Sequence, residues 1–145
     1  VGVNNSPTLA GDDGPDTILI GASIPLTGRY AGPAVQVQRG YELGIEMINA
    51  QGGVYVEEYD RQIPLELAIL DDESDPVQAV GNLEDLYSDD VVVYFGGFGS
   101  DMHAAEAPIA EVNGVPYLGV AFALWSIHQQ GYTYLFSPFP KSPDL

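Results

Sequence analysis

Two textures of apolar residues alternate along this chain. Short runs rich in β-branched and aromatic residues are followed by longer stretches whose apolar positions recur every three or four residues. Runs of the first kind read as strands buried on both faces, and stretches of the second kind as helices packed against them. Residues 17–24 (TILIGASI) are the first strand, and Pro25 and Gly28 open a loop that closes near Gly32 and Pro33. A helix over about 34–50 follows, with Val37, Tyr41, Gly44, Ile45 and Ile48 on one face and Gln51-Gly52-Gly53 as its stop. Residues 54–61 are a short charged excursion, read as a hairpin arm.

The second strand is 63–70, ending in Asp71-Asp72-Glu73. Asp75-Pro76 has the chemistry of a helix start, an acidic N-cap followed by proline at the first helical position. The second helix runs to about Tyr87, with Val77, Val80, Leu83 and Tyr87 expected inward. Residues 91–95 are the third strand, 96–100 (GGFGS) a glycine-rich turn, and 102–113 the third helix, with Ala105, Ile109 and Val112 expected inward. Residues 115–120 are the fourth strand, 121–131 an irregular connection and 134–136 the fifth strand. This alternation predicts an α/β fold, a doubly wound parallel sheet between two layers of helices. Pro138, Pro140 and Pro143 then disfavour a helix or central strand, so 138–145 reads as a hinge or exit segment.

Composition narrows the function. The 145 residues hold 21 acidic side chains against four Lys plus Arg, a net charge of −17. Such a surface repels nucleic acid and anionic membranes. It suits a high-salt environment, where self-repulsion is screened. There is no cysteine, which excludes disulfides, thiolate nucleophiles and cysteine-bound metals. No run of 18 apolar residues is present to span a membrane. Residues 1–16 are polar, lack periodicity, and read as a flexible leader or tether.

Five fragments, 20–28 (IGASIPLTG), 49–54 (NAQGGV), 70–76 (LDDESDP), 95–100 (FGGFGS) and 114–118 (GVPYL), stand in an order and spacing that resembles the type I periplasmic binding proteins of the leucine/isoleucine/valine-binding branch. The resemblance covers about 17–140. It implies that 17–137 is the N-terminal lobe of a two-lobed protein, and that 138–145 leads toward a second lobe. It also implies an extracytoplasmic solute-binding component of an ABC importer, whose partners are a membrane permease and a small amino acid or amide. A ligand-sensing ectodomain or amide-responsive regulator built on the same lobe is the alternative. By the same resemblance, Gly99 and Ser100 hold a ligand carboxylate. Ala121, Phe122 and Ala123 face the ligand ammonium, and Tyr30, with Arg29, walls the cleft. The family's hydroxyl is missing at Ala123, which argues against simply assuming leucine.

The residues support part of this independently. Backbone amides of a glycine-rich turn at the start of a helix favour an anionic group near Ser100, although Ser100 also has the chemistry of a simple helix cap, and Asp101 is either a cap or a like charge. Phe122 and Trp125 read either as an apolar wall or as core. Asp71, Asp72 and Glu73 resemble a receiver-domain acidic cluster, but the first strand ends in Ile24-Pro25 and the third in glycine, so turn and capping duty is the reading adopted. His103 and His128 have no companions at metal-ligand spacing. No nucleophile elbow, phosphate loop or dinucleotide fingerprint is present, so neither an enzyme nor a cofactor is expected.

Overall fold

The computed structural model describes residues 14–142. Residues 1–13 of the expected leader, and Pro143 with the end of the exit segment, lie outside the described residues. The elements are β1 (Ile18–Ile24), α1 (Ala31–Asn49), β2 (Val54–Val56), β3 (Arg61–Ile63), β4 (Leu65–Asp71), α2 (Pro76–Ser88), β5 (Val93–Gly96), α3 (Ser100–Asn113), β6 (Tyr117–Leu118), α4 (Ser126–Gln129) and β7 (Leu135–Phe136). Five strands form one sheet in the order β4-β1-β5-β6-β7, with parallel pairing throughout. β2 and β3 make the expected hairpin arm.

Side chains of a strand alternate between faces, so each face of the sheet carries its own core. Ala22 and Ile24 of β1 join Ala34 and Tyr41 of α1, with Phe95 of β5. Leu19, Tyr94, Tyr117 and Leu135 join Leu83 and Leu86 of α2 and Ala107 and Ala110 of α3. The result is the three-layer αβα architecture that the alternation predicts. The chain order reverses between β1 and β5, the position at which a crevice opens beyond the C-terminal ends of parallel strands.

Several expectations are corrected in detail. Ile63 ends the hairpin strand β3 instead of starting β4. The fourth strand pairs only over Tyr117–Leu118. The inward face of α2 is Ala79, Asn82, Leu83 and Leu86, whereas Val77 is 80% and Tyr87 50% exposed. The inward face of α3 is Met102, His103, Glu106, Ala107 and Ala110, and Val112 is 84% exposed. Both helices bury polar residues that bond to the sheet and its loops, Asn82 to Ser23, His103 to the Gly99 carbonyl and Glu106 to Tyr117, so a wheel weighted by apolar residues alone misplaces the inward face. Of the face expected on α1, Ile48 is exposed and the other positions are half-buried.

Candidate functional site

Because all five strands are parallel, their following loops gather at one edge of the sheet. The loop after β1 is tied to the turn after β4. Thr27 donates from its N–H to Asp71 Oδ1 (3.1 Å) and from its hydroxyl to Asp71 Oδ2 (2.8 Å). Ser74 donates its hydroxyl to the Thr27 carbonyl (2.7 Å) and accepts the Tyr30 N–H (3.1 Å). Glu73 and Ser74 both take the left-handed conformation, φ 55° and 62°, which ordinary residues adopt only when held. The carboxylates of Asp71 and Asp72 hold them, accepting the N–H of Glu73 (2.9 Å) and Ser74 (2.8 Å). Hydrogen bonds from 26, 27 and 73 keep Asp71 below its ordinary range despite the opposing effect of burial. Asp75 caps α2 through the Val77 N–H (2.8 Å), with Pro76 at the first position. The acidic run therefore serves turns and caps, as its residue types predict.

The turn after β5 is the centre of the site. Gly99 is the N-cap of α3 at φ 109°, and a Cβ there would lie 2.8 Å from the Tyr30 ring. Only glycine meets both conditions. Its N–H donates to the Ala121 carbonyl (3.1 Å), and the Ser100 hydroxyl accepts the Ala123 N–H (3.3 Å). Ser100 thus reaches across to the loop after β6 instead of capping its own helix. No side chain caps α3. First-turn amides without a cap attract negative charge.

Asp101 does not stand as a free like charge. Its carboxylate is paired with Arg29 and accepts the Tyr30 hydroxyl (3.0 Å), while the Arg29 guanidinium lies 4.6 Å from the Tyr30 ring centre. Burial, and then this bond to Asp101, raises the Tyr30 pKa. Arg29 is 60% exposed, so the pair contributes little stability, but it fixes the tyrosine. The ring is held 5.7 Å from that of Phe98.

These groups line one cleft of about 570 Å³, bounded by Tyr30, Phe98, Gly99, Ser100, Asp101, Ala121, Ala123, Leu124 and Phe139. Of the residues singled out in the sequence, Tyr30, Gly99, Ser100, Ala121 and Ala123 meet there. Phe122 does not: its ring is buried against His103 (4.7 Å) and His128 (5.4 Å), and its carbonyl accepts Lys141 Nζ at 2.7 Å. Trp125 is half exposed beside His128. Phe98, Leu124 and Phe139 were not foreseen, since each sits in a loop where apolar periodicity gives no signal. Lys141 also donates to Ser137 Oγ (2.6 Å), and Ser142 donates its N–H to the Ala123 carbonyl (2.9 Å), so the segment after β7 is fastened along the cleft wall. Among the described residues, no cluster of three or more His, Asp or Glu could hold a metal ion, and no helix is long and apolar enough to cross a membrane.

The model of a family described as periplasmic binding protein matches residues 17–144, and the chain belongs to that family. It is 30% identical over 129 residues to Leu/Ile/Val-binding protein homolog 7 of Brucella abortus, covering 88% of this chain and 31% of the relative. It is 31% identical over 98 residues to homolog 1 of the same organism, covering 68% of this chain and 25% of that relative. The chain thus spans about a third of the length of the first of these relatives. Among solved structures it is similar to LivJ of Streptococcus pneumoniae, a branched-chain amino acid transporter substrate-binding protein in complex with isoleucine. That match has TM-score 0.78 and 25% identity, and covers 86% of this chain and 34% of LivJ. A putative branched-chain amino acid ABC transporter from Rhodospirillum rubrum matches with TM-score 0.74 and 26% identity, over 86% of this chain and 34% of the other. The family is one of non-catalytic, extracytoplasmic binding proteins.

Proposed function

We propose that this chain is the N-terminal binding lobe of the solute-binding component of an ABC importer, which delivers its solute to a membrane permease. The solute is a branched-chain amino acid or a related small amino acid or amide, held between this lobe and a second one. Residues 1–16 are the leader or tether of this arrangement, residues 17–137 the lobe, and residues 138–145 the path toward the second lobe. The observation that carries the reading is the placement of Gly99 and Ser100. The uncapped amides of α3 and the Ser100 hydroxyl stand at the edge of a cleft otherwise walled by Tyr30, Phe98, Leu124 and Phe139. A polar point against an apolar wall matches a solute with one anionic head and a small apolar body.

Ala121 and Ala123 border the same cleft, but both of their carbonyls already accept backbone bonds, from Gly99 and Ser142. The ammonium of an amino acid would share those oxygens. The net charge of −17 supports a high-salt setting for the whole protein. The test is calorimetric titration of the parent protein in high salt against amino acids, short amides and aromatic carboxylates. Micromolar binding of the branched-chain or amide group is the expected result. A folded protein silent to the whole panel would contradict the import reading and favour a sensory ectodomain.

A further inference from the structure

We infer that His103 and Glu106, two buried groups on one face of α3, each hold the 96–100 turn, His103 through Gly99 and Glu106 through Tyr117, so that occupancy of the cleft is coupled to the protonation of Glu106. The ligand arm of this inference rests on the binding reading above; the turn itself reports on it without ligand.

The two side chains lie one turn apart on the inward face of α3, and both are completely buried. His103 Nδ1 lies 2.7 Å from the Gly99 carbonyl, the same oxygen that accepts the His103 backbone N–H at 3.2 Å. A carbonyl only accepts, so Nδ1 carries the proton. Burial pulls the imidazole pKa down to about 4, so the ring is neutral and Nε2 is a bare acceptor. Nε2 finds no hydrogen-bond partner among the described residues. It faces Gly96, where a Cβ would lie 2.7 Å from it and 2.6 Å from the Tyr117 hydroxyl oxygen. Gly96 in turn has its carbonyl held by the Tyr41 hydroxyl at 2.6 Å.

Glu106 accepts the Tyr117 hydroxyl at Oε2, while Oε1 is buried and has no partner within hydrogen-bonding geometry. The groups around the pair come from every packed element. They are Ser23 of β1, Asp72 at the end of β4, Tyr41 of α1 and Tyr117 of β6, with Asp101 and Lys141 acting on His103. Ser23 leans between Asp72 (3.5 Å) and Asn82 (3.3 Å). Among the described residues no cation faces Glu106, and burial, reinforced by Asp72, pushes its carboxyl up to about 8. Asp72 is itself held up to about 6, chiefly by burial. At neutral pH Glu106 therefore keeps its proton on the buried carboxyl, and Tyr117 donates to the other oxygen.

Ionising Glu106 places a second buried negative charge beside Asp72, with only the Tyr117 and Ser23 hydroxyls to favour it. The glycine-rich turn lies against both groups: His103 Nε2 and the Tyr117 hydroxyl that Glu106 accepts both face Gly96, and His103 Nδ1 holds the Gly99 carbonyl. The Tyr117 hydroxyl must re-orient when Glu106 ionises, and through Gly96 that bears on the 96–100 turn and the amides facing the cleft.

The test uses the parent protein with ¹³C-labelled Glu and ¹⁵N-labelled His and backbone, followed by NMR from about pH 6 to about pH 9.5. L-leucine is titrated by calorimetry at the same pH values, in wild type and in E106Q, H103N and H103L. The Glu106 carboxyl and the Gly99 and Ser100 amides are expected to titrate together with a midpoint near 8. L-leucine affinity is expected to fall about tenfold or more above it. E106Q, which mimics the protonated form, is expected to be flat across this range at the wild-type low-pH affinity. H103N keeps an N–H toward Gly99 and keeps binding; H103L loses it. A Glu106 carboxylate already ionised at about pH 6, or amides that titrate unchanged in E106Q, overturns the inference. If wild type takes no L-leucine at any pH, the amino-acid reading fails, while the joint titration of Glu106 with the two amides still decides this one.

Discussion

At the scale of single residues, the site depends on which groups are already committed. Asp101 is neutralised by Arg29 and tied to Tyr30, so it orients an aromatic wall instead of repelling a carboxylate. Ser100 is bonded across the cleft edge as an acceptor, which leaves its own O–H free to donate to a solute. Removing it by Ser100→Ala takes away one hydrogen bond to a charged head, a loss of about 1.5–3 kcal/mol, or roughly tenfold to a hundredfold in Kd. Calorimetry on the variant checks this; unchanged affinity would remove Ser100 from the site. The residues of the glycine-rich turn were legible in the sequence because their types carry the chemistry. Phe122 was not, because an aromatic residue in an irregular connection packs inward or outward by tertiary context alone, and here it packs against His103.

At the scale of elements, the strand–helix alternation and the capping at Asp75 and Pro76 were legible, while the helix faces were not. A helical wheel weighted by hydrophobicity turns Val77 and Val112 inward. The fold instead buries Asn82, His103 and Glu106, since these pair with Ser23, Gly99 and Tyr117 from the sheet and its loops. The bonds of Asn82 to Ser23 and of Glu106 to Tyr117 join different elements and leave no periodic trace, and the local bond of His103 to the Gly99 carbonyl gives no apolar signal. This burial has a pH signature in stability. The Glu106 carboxyl is raised from 4.5 to about 8 in the fold, so the native state holds its proton more tightly than the unfolded chain. Its contribution is fully present below about 4.5 and is lost as pH rises to about 8. His103 has the opposite sign: its pKa is lowered from 6.5 to about 4, so its contribution is lost as pH falls across that window. Glu106→Gln is expected to raise the melting temperature by about 3 °C or more near pH 8 and to change it little near pH 4. Equal shifts at both pH values would show that Glu106 is not protonated in the native state.

At the scale of the whole molecule, an acidic surface surrounds a lobe whose cleft is open along one edge. With 21 acidic side chains and four Lys plus Arg, self-repulsion opposes the compact state at low ionic strength. Screening by salt is expected to raise the melting temperature steadily from about 0.1 M to about 1 M KCl, as read by circular dichroism. A flat response would count against a high-salt setting. On the proposed reading the lobe supplies one wall of a binding site, and affinity in such a site comes from enclosure on both sides together with the anchoring points of each.

The central claim is that solute binds where the turn after β5 meets the loop after β6. Amide chemical-shift mapping of the parent protein, with the solute that calorimetry identifies, tests it most directly. The account predicts the largest shifts at Gly99, Ser100, Asp101 and Ala121, with Tyr30 responding alongside. Shifts centred elsewhere, with these amides unmoved at saturation, would contradict it.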